Sequence, residues 1–298
     1  MGERRRRYSG TRRFKPQRTF LCGLVVLSAA SCGRIDFDPT AADAQSPMID
    51  AADPIQQLAC VPSVDESLLA LYPFDQDVAD QVVDLQGANP GILVGTVAHT
   101  DGPAAECGQA LLFDGDLGNY AQVDDSNSWI VDAGSLDFWF RLDAMPTDYV
   151  GLVSKDASGT AESGHITVFI DSQGRLLSRI QETGAPNSEG VTCSAPGAIV
   201  VGQWNHLGVN FGTATVTKVW LNGFEIDEPG TFDTLVCQTA TEALIDNREP
   251  WAFGLAAWNS ASGLATPSSG SLVGALDHVR ISNAARDFTG PEFYPPRP

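Results

Sequence analysis

Acidic side chains are the residues of this sequence that come closest to a catalytic arrangement. The string Glu225-Ile226-Asp227-Glu228 directly follows a turn signal, Asn222-Gly223. Two carboxylates that hydrolyse a glycosidic bond must flank that bond, and on one strand they share a side only at even spacing. In known glycoside hydrolases that carry both glutamates on one strand, the two stand four residues apart, whereas the position four residues after Glu225 is Pro229. The string does not favour hydrolysis.

Other catalytic and metal-binding motifs are missing from the sequence. Its four histidines, His99, His165, His206 and His278, have none of the close pairings that zinc sites use. There is no Gly-x-Ser-x-Gly elbow, H-E-x-x-H helix or Walker loop. We therefore predict a protein that is not an enzyme.

Short strands are the elements that must position any site. Runs of β-branched and aromatic residues, separated by Gly, Asn, Asp and Pro, predict an all-β, antiparallel β-sandwich. The predicted strands are 68–72, 110–113, 120–123, 134–142, 150–155, 166–170, 176–181, 204–211, 215–221, 251–255 and 274–282.

Two kinds of local pattern support this reading. In the segment 136–142 the apolar residues Leu136, Phe138, Phe140 and Leu142 alternate with polar or aromatic ones, which predicts a half-buried strand. Asn222-Gly223 and the segment 171–174, Asp-Ser-Gln-Gly, predict hairpin turns, since such residues tolerate positive φ.

The N-terminus is typical of an export signal. Basic residues precede an apolar stretch from Phe20 to Ala30, which is too short to span a bilayer. The segment 27–33, Leu-Ser-Ala-Ala-Ser-Cys-Gly, resembles the lipobox of bacterial lipoproteins, and this predicts acylation of Cys32. By analogy with Gram-negative sorting, Gly33 favours an outer membrane or cell-surface lipoprotein. Cleavage with secretion, or an uncleaved segment, remain the alternatives.

The composition of the chain changes along its length and divides it into four parts. Residues 1–31 are the predicted signal, and residues 32–59, rich in Ala, Asp and Pro, are a predicted flexible tether. Residues 60–293 form the predicted domain, and the proline-rich residues 294–298 form a tail. Without the first 31 residues the chain carries 10 basic and 36 acidic residues, a formal charge of −26. This charge argues against nucleic acid and anionic lipid as partners, because both require clustered Lys or Arg.

The ordered segments together resemble the concanavalin A-like, laminin G-like jelly-roll domains of secreted bacterial proteins. The motifs that carry the resemblance cover nearly the whole predicted domain: LALYPFD at 69–75, GQALLFDG at 108–115, Ser135 to Arg141 around Trp139, GLVSK at 151–155, GQWNHL at 202–207, VWLNG at 219–223 and GALDHVRI at 274–281. Most of these residues are scaffold, so the fold by itself does not determine the function.

Four cysteines remain once Cys22 and Cys32 are set aside. In an oxidising compartment Cys60, Cys107, Cys193 and Cys237 predict two disulfides, with three pairings open. We prefer Cys60 with Cys107 and Cys193 with Cys237, because each pair links segments that flank one part of the strand pattern.

The resemblance implies a structural calcium ion near the meeting point of the first and last strands. Asp277 matches the acid of the last strand, with Asp75, Asp114 and Gly115 as neighbours. Calcium takes six to eight oxygen ligands, which carboxylates and carbonyls supply. Local pairing of Asp277 within the sheet is the alternative.

Ligand recognition in such a domain uses loops at one end of the sandwich, or the concave sheet. Trp129, Trp251 and Trp258, with Asn259 beside them, are candidates for stacking on a sugar, and core packing is the alternative. We therefore predict a cell-surface or secreted lectin-like module that binds a glycan or an extracellular protein. A structural envelope protein without a ligand site is the alternative, and a concanavalin-fold glycoside hydrolase acting through the Glu225 string is a further one.

Overall fold

The computed structural model describes residues 60, 65–156, 165–181, 189–214, 216–232, 235–237, 249–257 and 267–296. Cys32, Trp258 and Asn259 lie outside these residues. The described strands are β1 Leu68–Tyr72, β2 Gln81–Val82, β3 Gly91–Val94, β4 Ala98–Asp101, β5 Gln109–Asp114, β6 Tyr120–Val123, β7 Ala133–Leu142, β8 Tyr149–Lys155, β9 Ile166–Asp171, β10 Leu176–Gln181, β11 Glu189–Cys193, β12 Trp204–Gly212, β13 Lys218–Leu221, β14 Phe224–Ile226, β15 Thr231–Phe232, β16 Leu235–Val236, β17 Trp251–Phe253, β18 Leu255–Ala257, β19 Pro267–Ser271 and β20 Val273–Ser282. Short 3₁₀ turns span Ala105–Cys107, Asn127–Trp129 and Pro291–Phe293. Among the described residues there is no helix long and apolar enough to cross a membrane.

Two antiparallel sheets of eight strands each confirm the predicted β-sandwich. The first sheet has the order β14-β13-β12-β7-β20-β5-β4, and β1 also pairs with β20. The second sheet has the order β11-β10-β9-β8-β17-β6-β3-β2. Two separate hairpins, β15-β16 and β18-β19, accompany the sheets.

The core lies between the facing sides of the two sheets. Leu136, Phe138, Phe140 and Leu142 of β7 are fully buried in it, as their alternation predicts. Phe253 of β17 comes from the opposite sheet and packs on Tyr72, with ring centroids 5.3 Å apart. Apolar side chains at alternate positions of both sheets therefore supply most of the burial that stabilises the fold.

The opposite side of the first sheet, its outer face, is not solvent-exposed at β7. Asp137 and Trp139 are buried there, so the prediction of a half-buried strand was wrong for this segment. Trp139 and Trp204 pack with the disulfide-bonded Cys60 and Cys107. Phe288 and Phe293 of the C-terminal segment pack on Trp220 of β13. Both ends of the described chain thus cover a face that the local alternation alone would leave in water.

The predicted turns are confirmed. Asn222 and Gly223 have φ values of 54° and 83° and join β13 to β14. Gly174 has φ of 68° in the β9-β10 turn, where Asp171 Oδ1 accepts hydrogen bonds from the amides of Gln173 and Arg175. Positive φ at these positions explains why the turns need Asn or Gly.

A buried ionic cluster lies beneath the C-terminal segment. Arg280 of β20 donates two 2.8 Å hydrogen bonds to Asp137 of β7, one from Nε and one from Nη2. His206 of β12 lies with Nε2 3.3 Å from Asp137 Oδ2, and its ring is 4.6 Å from that of Phe293. Burial lowers the pKa of His206 more than the Asp137 carboxylate raises it. The imidazole is therefore held neutral in the folded protein.

This cluster predicts a pH-dependent loss of stability. In the unfolded chain a histidine binds a proton near pH 6.5, whereas folded His206 resists it, so stability should fall as the pH drops below about 6.5. Melting temperatures at pH 7.5 and 5.5 should differ less in His206→Asn than in wild type. Equal differences in the two proteins would show that His206 does not contribute to the acid sensitivity.

Candidate functional site

The last strand, β20, carries an irregularity at the point where Asp277 lies. Along β7 the register runs Asp277 opposite Trp139 and then Arg280 opposite Asp137, so β20 has one extra residue. His278 adopts a φ of 49° in this bulge. β20 pairs with β5 before the bulge and with β1 after it. The bulge thus brings Asp277 to the junction of the first, fifth and last strands.

Asp277 is fully buried on the outer face of the first sheet. Its Oδ1 lies 2.8 Å from His278 Nδ1, whereas its Oδ2 has no hydrogen-bond partner among the described residues. Gly102 covers Oδ2 so closely that a Cβ at position 102 would lie 2.6 Å from it. The same Cβ position would lie 3.2 Å from the carbonyl oxygen of Cys107. One carboxylate oxygen and one backbone carbonyl therefore face the same small space.

Asp75 lies at the same end of the sheet. It follows β1, and its Oδ1 accepts a 2.6 Å hydrogen bond from the backbone amide of Gln109 at the start of β5. A side chain at Gly108 would collide with Asp75, because a Cβ there would lie 1.9 Å from Oδ1. In the antiparallel β1-β20 register Tyr72 is opposite Val279, so Asp75 and Asp277 both lie beyond this pair at the same end of the two strands, in agreement with their predicted proximity.

The ionisation of the Asp277–His278 pair follows from its burial. Burial raises the pKa of Asp277 to about 6, and the charge of Asp75 adds to the rise, against the opposing effect of His278. Burial would lower the pKa of His278, but the hydrogen bond and charge of Asp277 raise it overall. Without a cation, Asp277 therefore stabilises the fold most at low pH, and this contribution is lost as the pH rises from about 4 through about 6.

Asp114 and Gly115 lie elsewhere, so their predicted role beside Asp277 was wrong. In the β5-β20 register Asp114 is opposite Val273, four residues from Asp277, which corresponds to roughly 13 Å along the strand. The Asp114 carboxylate accepts hydrogen bonds from the amide of Asp116 at 2.9 Å and from the side chain of Asn119 at 3.0 Å. These contacts stabilise a turn at the far end of β5. Only the strand register reveals that Asp114 is so far from Asp277.

The residues around Asp277 offer some, but not all, of the oxygen ligands that a hard cation needs. In the described ranges no group of three or more His, Cys, Asp or Glu side chains could hold a metal ion. An ion at Asp277 Oδ2 would therefore need backbone carbonyls, such as that of Cys107, and water besides the carboxylates, which is a donor set that calcium accepts. The buried Oδ2 without a partner is the feature that favours such an ion.

The tryptophans predicted to stack on a ligand are core residues where the structure describes them. Trp129 is 1% and Trp251 0% exposed, and their rings pack edge to face with centroids 6.0 Å apart. Trp129 Nε1 donates a 3.2 Å hydrogen bond to the carbonyl of Asp124. The ligand-binding prediction for these two residues was therefore wrong, because the sandwich core extends into the loop after β6 and encloses both rings.

A polar network on the second sheet was not found from the sequence. Asp156 is buried, with His165 Nδ1 3.0 Å from its Oδ1 and Thr167 Oγ1 donating a 2.6 Å hydrogen bond to its Oδ2. Arg179 of β10 also pairs with Asp156 Oδ2. Burial would raise the pKa of Asp156, but His165, Arg179 and Thr167 lower it overall, so the carboxylate stays ionised. The available signal was the pair of polar residues at alternate positions, His165 and Thr167, at the start of β9.

The acidic string 225–228 lies at the edge of the first sheet. Glu225 is on β14, which pairs only with β13 among the described strands. Both Glu225 oxygens lie 3.0 to 3.1 Å from Lys218 Nζ, and both side chains are about half exposed. The arrangement is that of a surface ion pair, whose contribution to stability is small.

Two disulfides join Cys60 to Cys107 and Cys193 to Cys237, which is the pairing preferred from the sequence. The first fastens the chain before β1 to the 3₁₀ turn before β5. The second fastens β11 to the residue that follows β16. Disulfides persist in oxidising compartments, so together with the fold they indicate an exported protein.

Solved structures share this fold at low sequence identity. The binding domain of Paraclostridial mosquitocidal protein 1 aligns with a TM-score of 0.53 and 16% identity, over 76% of this chain and 51% of that one. The receptor-binding domain of botulinum neurotoxin type G gives 0.51 and 12%, over 76% and 50%. Trypanosoma rangeli sialidase, in complex with 2,3-difluorosialic acid, gives 0.51 and 12%, over 77% and 33%. The chain thus spans about half of each of the two binding-domain chains and a third of the sialidase, and the likeness concerns the fold.

Comparison with curated proteins finds no match. The family model of the concanavalin A-like lectin/glucanases superfamily, in its laminin G-like form, matches residues 114–288, from the end of β5 to the C-terminal segment. Because this match covers more than half of the chain, the protein belongs to the concanavalin A-like lectin/glucanases superfamily.

Proposed function

We propose that the protein is an exported recognition module that binds a glycan, or an extracellular protein, without turning it over. The observation that carries the proposal is the position of Glu225 on an exposed edge strand, paired with Lys218, in a fold that lectins and glucanases share. A glycosidase needs two carboxylates on either side of one bond. The Glu225 string offers a surface ion pair instead, and this favours binding over hydrolysis.

Two of the three neighbouring structures support a binding function. One is named as the binding domain of a mosquitocidal protein and one as the receptor-binding domain of a neurotoxin, whereas the third is a sialidase with a bound sialic acid derivative. The module proposed here would act like the binding domains. Its charge of −26 after residue 31 favours neutral or cationic ligands over anionic ones.

We further propose a structural calcium ion at Asp277. Asp277 Oδ2 and a carboxylate oxygen of Asp75 would bind it, with the carbonyl of Cys107 and water as further ligands. The ion would neutralise a buried carboxylate at the junction of β1, β5 and β20. Its role would be to stabilise that junction, because the residues that hold it are covered by Gly102 and Gly108.

Glycan binding is testable on an array of immobilised glycans with the purified full-length protein. We expect specific, saturable retention on a small set of glycans and no release of shortened products from the corresponding polysaccharides. Blank results on glycans and on extracts of cell envelopes would instead favour a structural role. Polysaccharide turnover that Glu225→Gln or Asp227→Asn abolishes would identify an enzyme.

Calcium binding is testable by thermal melting at pH 7.5 in EDTA and in excess calcium. A ligand at about 100 times its Kd stabilises a protein by about 2.7 kcal/mol, which for a domain of this size is a rise of about 5 to 10 °C. Asp277→Asn should lose this response, while Asp114→Asn, the matched control, should keep it. In EDTA the Asp277→Asn protein should be at least as stable as wild type, since no buried carboxylate must ionise. A wild-type midpoint indifferent to EDTA and calcium would rule out the ion.

Anchoring through Cys32 is testable by mass spectrometry of the protein purified from membranes. We expect a mature chain that begins at Cys32. Its mass should be increased by a diacylglyceryl group on the Cys32 sulfur and an acyl chain on the new N-terminus. Cys32→Ala should release the protein from the membrane fraction. A mature N-terminus elsewhere, or a wild-type protein found only in the medium, would contradict the anchor.

A further inference from the structure

An aromatic pair at the edge of the first sheet is exposed although it is held in a fixed geometry. Phe224 begins β14, and its ring stacks on that of Tyr294 with centroids 5.5 Å apart and planes inclined by 8°. Phe224 is nevertheless 64% exposed, and Tyr294 is 37% exposed. One face of the Phe224 ring is thus supported while most of the side chain remains in water.

The surrounding backbone builds this pair. The Asn222-Gly223 turn presents Phe224, and Gly223 lies against Tyr294 so closely that a Cβ there would be 2.6 Å from Tyr294 Cε1. Tyr294 directly follows the 3₁₀ turn Pro291–Phe293, and its amide donates a 3.1 Å hydrogen bond to the carbonyl of Pro291. Phe293 is buried against Phe288 and Trp220. A buried anchor therefore fixes Tyr294, and Tyr294 fixes Phe224.

An exposed ring that is already held in place is well suited to bind another flat apolar surface. Burial of apolar surface is favourable, and large side chains that are already ordered lose little further entropy on binding. The apolar face of a sugar ring is flat and matches a ring of this size.

The charge around Phe224 favours a neutral glycan over a second copy of the chain as the occupant of this ring. Pairing of two β14 edges would bring Glu225, Asp227 and Glu228 of one copy close to the same acids of the other, with Lys218 as the nearby base. Like charges at such a contact are repulsive. A neutral sugar meets no such repulsion, whereas a polyanion would.

We propose that Phe224, positioned by Tyr294, is a stacking platform for a pyranose ring of a neutral glycan. This inference rests on the proposed recognition function and names the part of the surface that performs it. Phe224 makes the contact. Tyr294 acts through Phe224 and is a positioning residue.

The test is titration calorimetry of the full-length protein with cellohexaose, xylohexaose and mannohexaose. We expect saturable binding of at least one of them by wild type, and a loss of about tenfold in affinity in Phe224→Ala, the scale of one aromatic contact. Phe224→Leu should lose as much, because it keeps an apolar side chain without the ring, and Phe224→Trp should retain binding. Val78→Ala, which removes an apolar side chain that is 68% exposed elsewhere, is the matched control and should bind like wild type.

The outcomes separate this inference from the proposed function. Wild-type binding that Phe224→Ala and Phe224→Leu leave unchanged would overturn the platform and leave the recognition function intact. If wild type binds glycans on the array but none of the three hexasaccharides, the platform is likewise overturned and the recognition function is kept. A wild-type dimer that Phe224→Ala converts to a monomer would identify a second copy as the occupant and overturn the proposal. Absence of any glycan binding by wild type would overturn the platform and leave an extracellular protein as the ligand of the proposed function. Absence of binding to glycans and to extracts of cell envelopes would overturn the recognition function itself.

Discussion

The pairing of β20 with β7 is the interaction on which the rest of the first sheet depends. Arg280 and Asp137 join the two strands through a buried, two-point ion pair, and neither charge could remain buried without the other. β20 also pairs with β5 and β1 on its other side, so the last strand fastens both the beginning and the middle of the chain. This long-range closure holds together segments more than 100 residues apart.

The same strand positions the site at Asp277. The extra residue in β20 lies where the neighbour of this strand changes from β5 to β1, and at this bulge Asp277 is buried with one oxygen close to Gly102. Glycines at 102 and 108 are needed because the carboxylates of Asp277 and Asp75 occupy the space that side chains would fill. Burial then raises the pKa of Asp277, so the bulge determines the electrostatics of this site as well as its geometry.

The packing of the chain's ends decides which surfaces remain for recognition. The outer face of the first sheet is covered by the Cys60–Cys107 segment at one side and by Phe288 and Phe293 at the other. On the second sheet, a close contact between Gly151 and Ala256 packs β18 against β8. Where the broad faces are covered in this way, the edge strand β14 and the loops at the ends keep accessible side chains.

The sequence by itself determined the fold class, the turns and the longer strands of both sheets, because alternation and turn residues are local properties of the chain. It did not predict short strands such as β3, β4 and β14. Leu136 to Leu142 and Asn222-Gly223 are the clearest cases. Only the tertiary structure decided the site. The burial of Trp129 and Trp251, the separation of Asp114 from Asp277 and the stacking of Tyr294 on Phe224 depend on contacts between distant segments. A local pattern indicates which side of a strand a residue occupies, but strand register and the covering segments determine what lies against it.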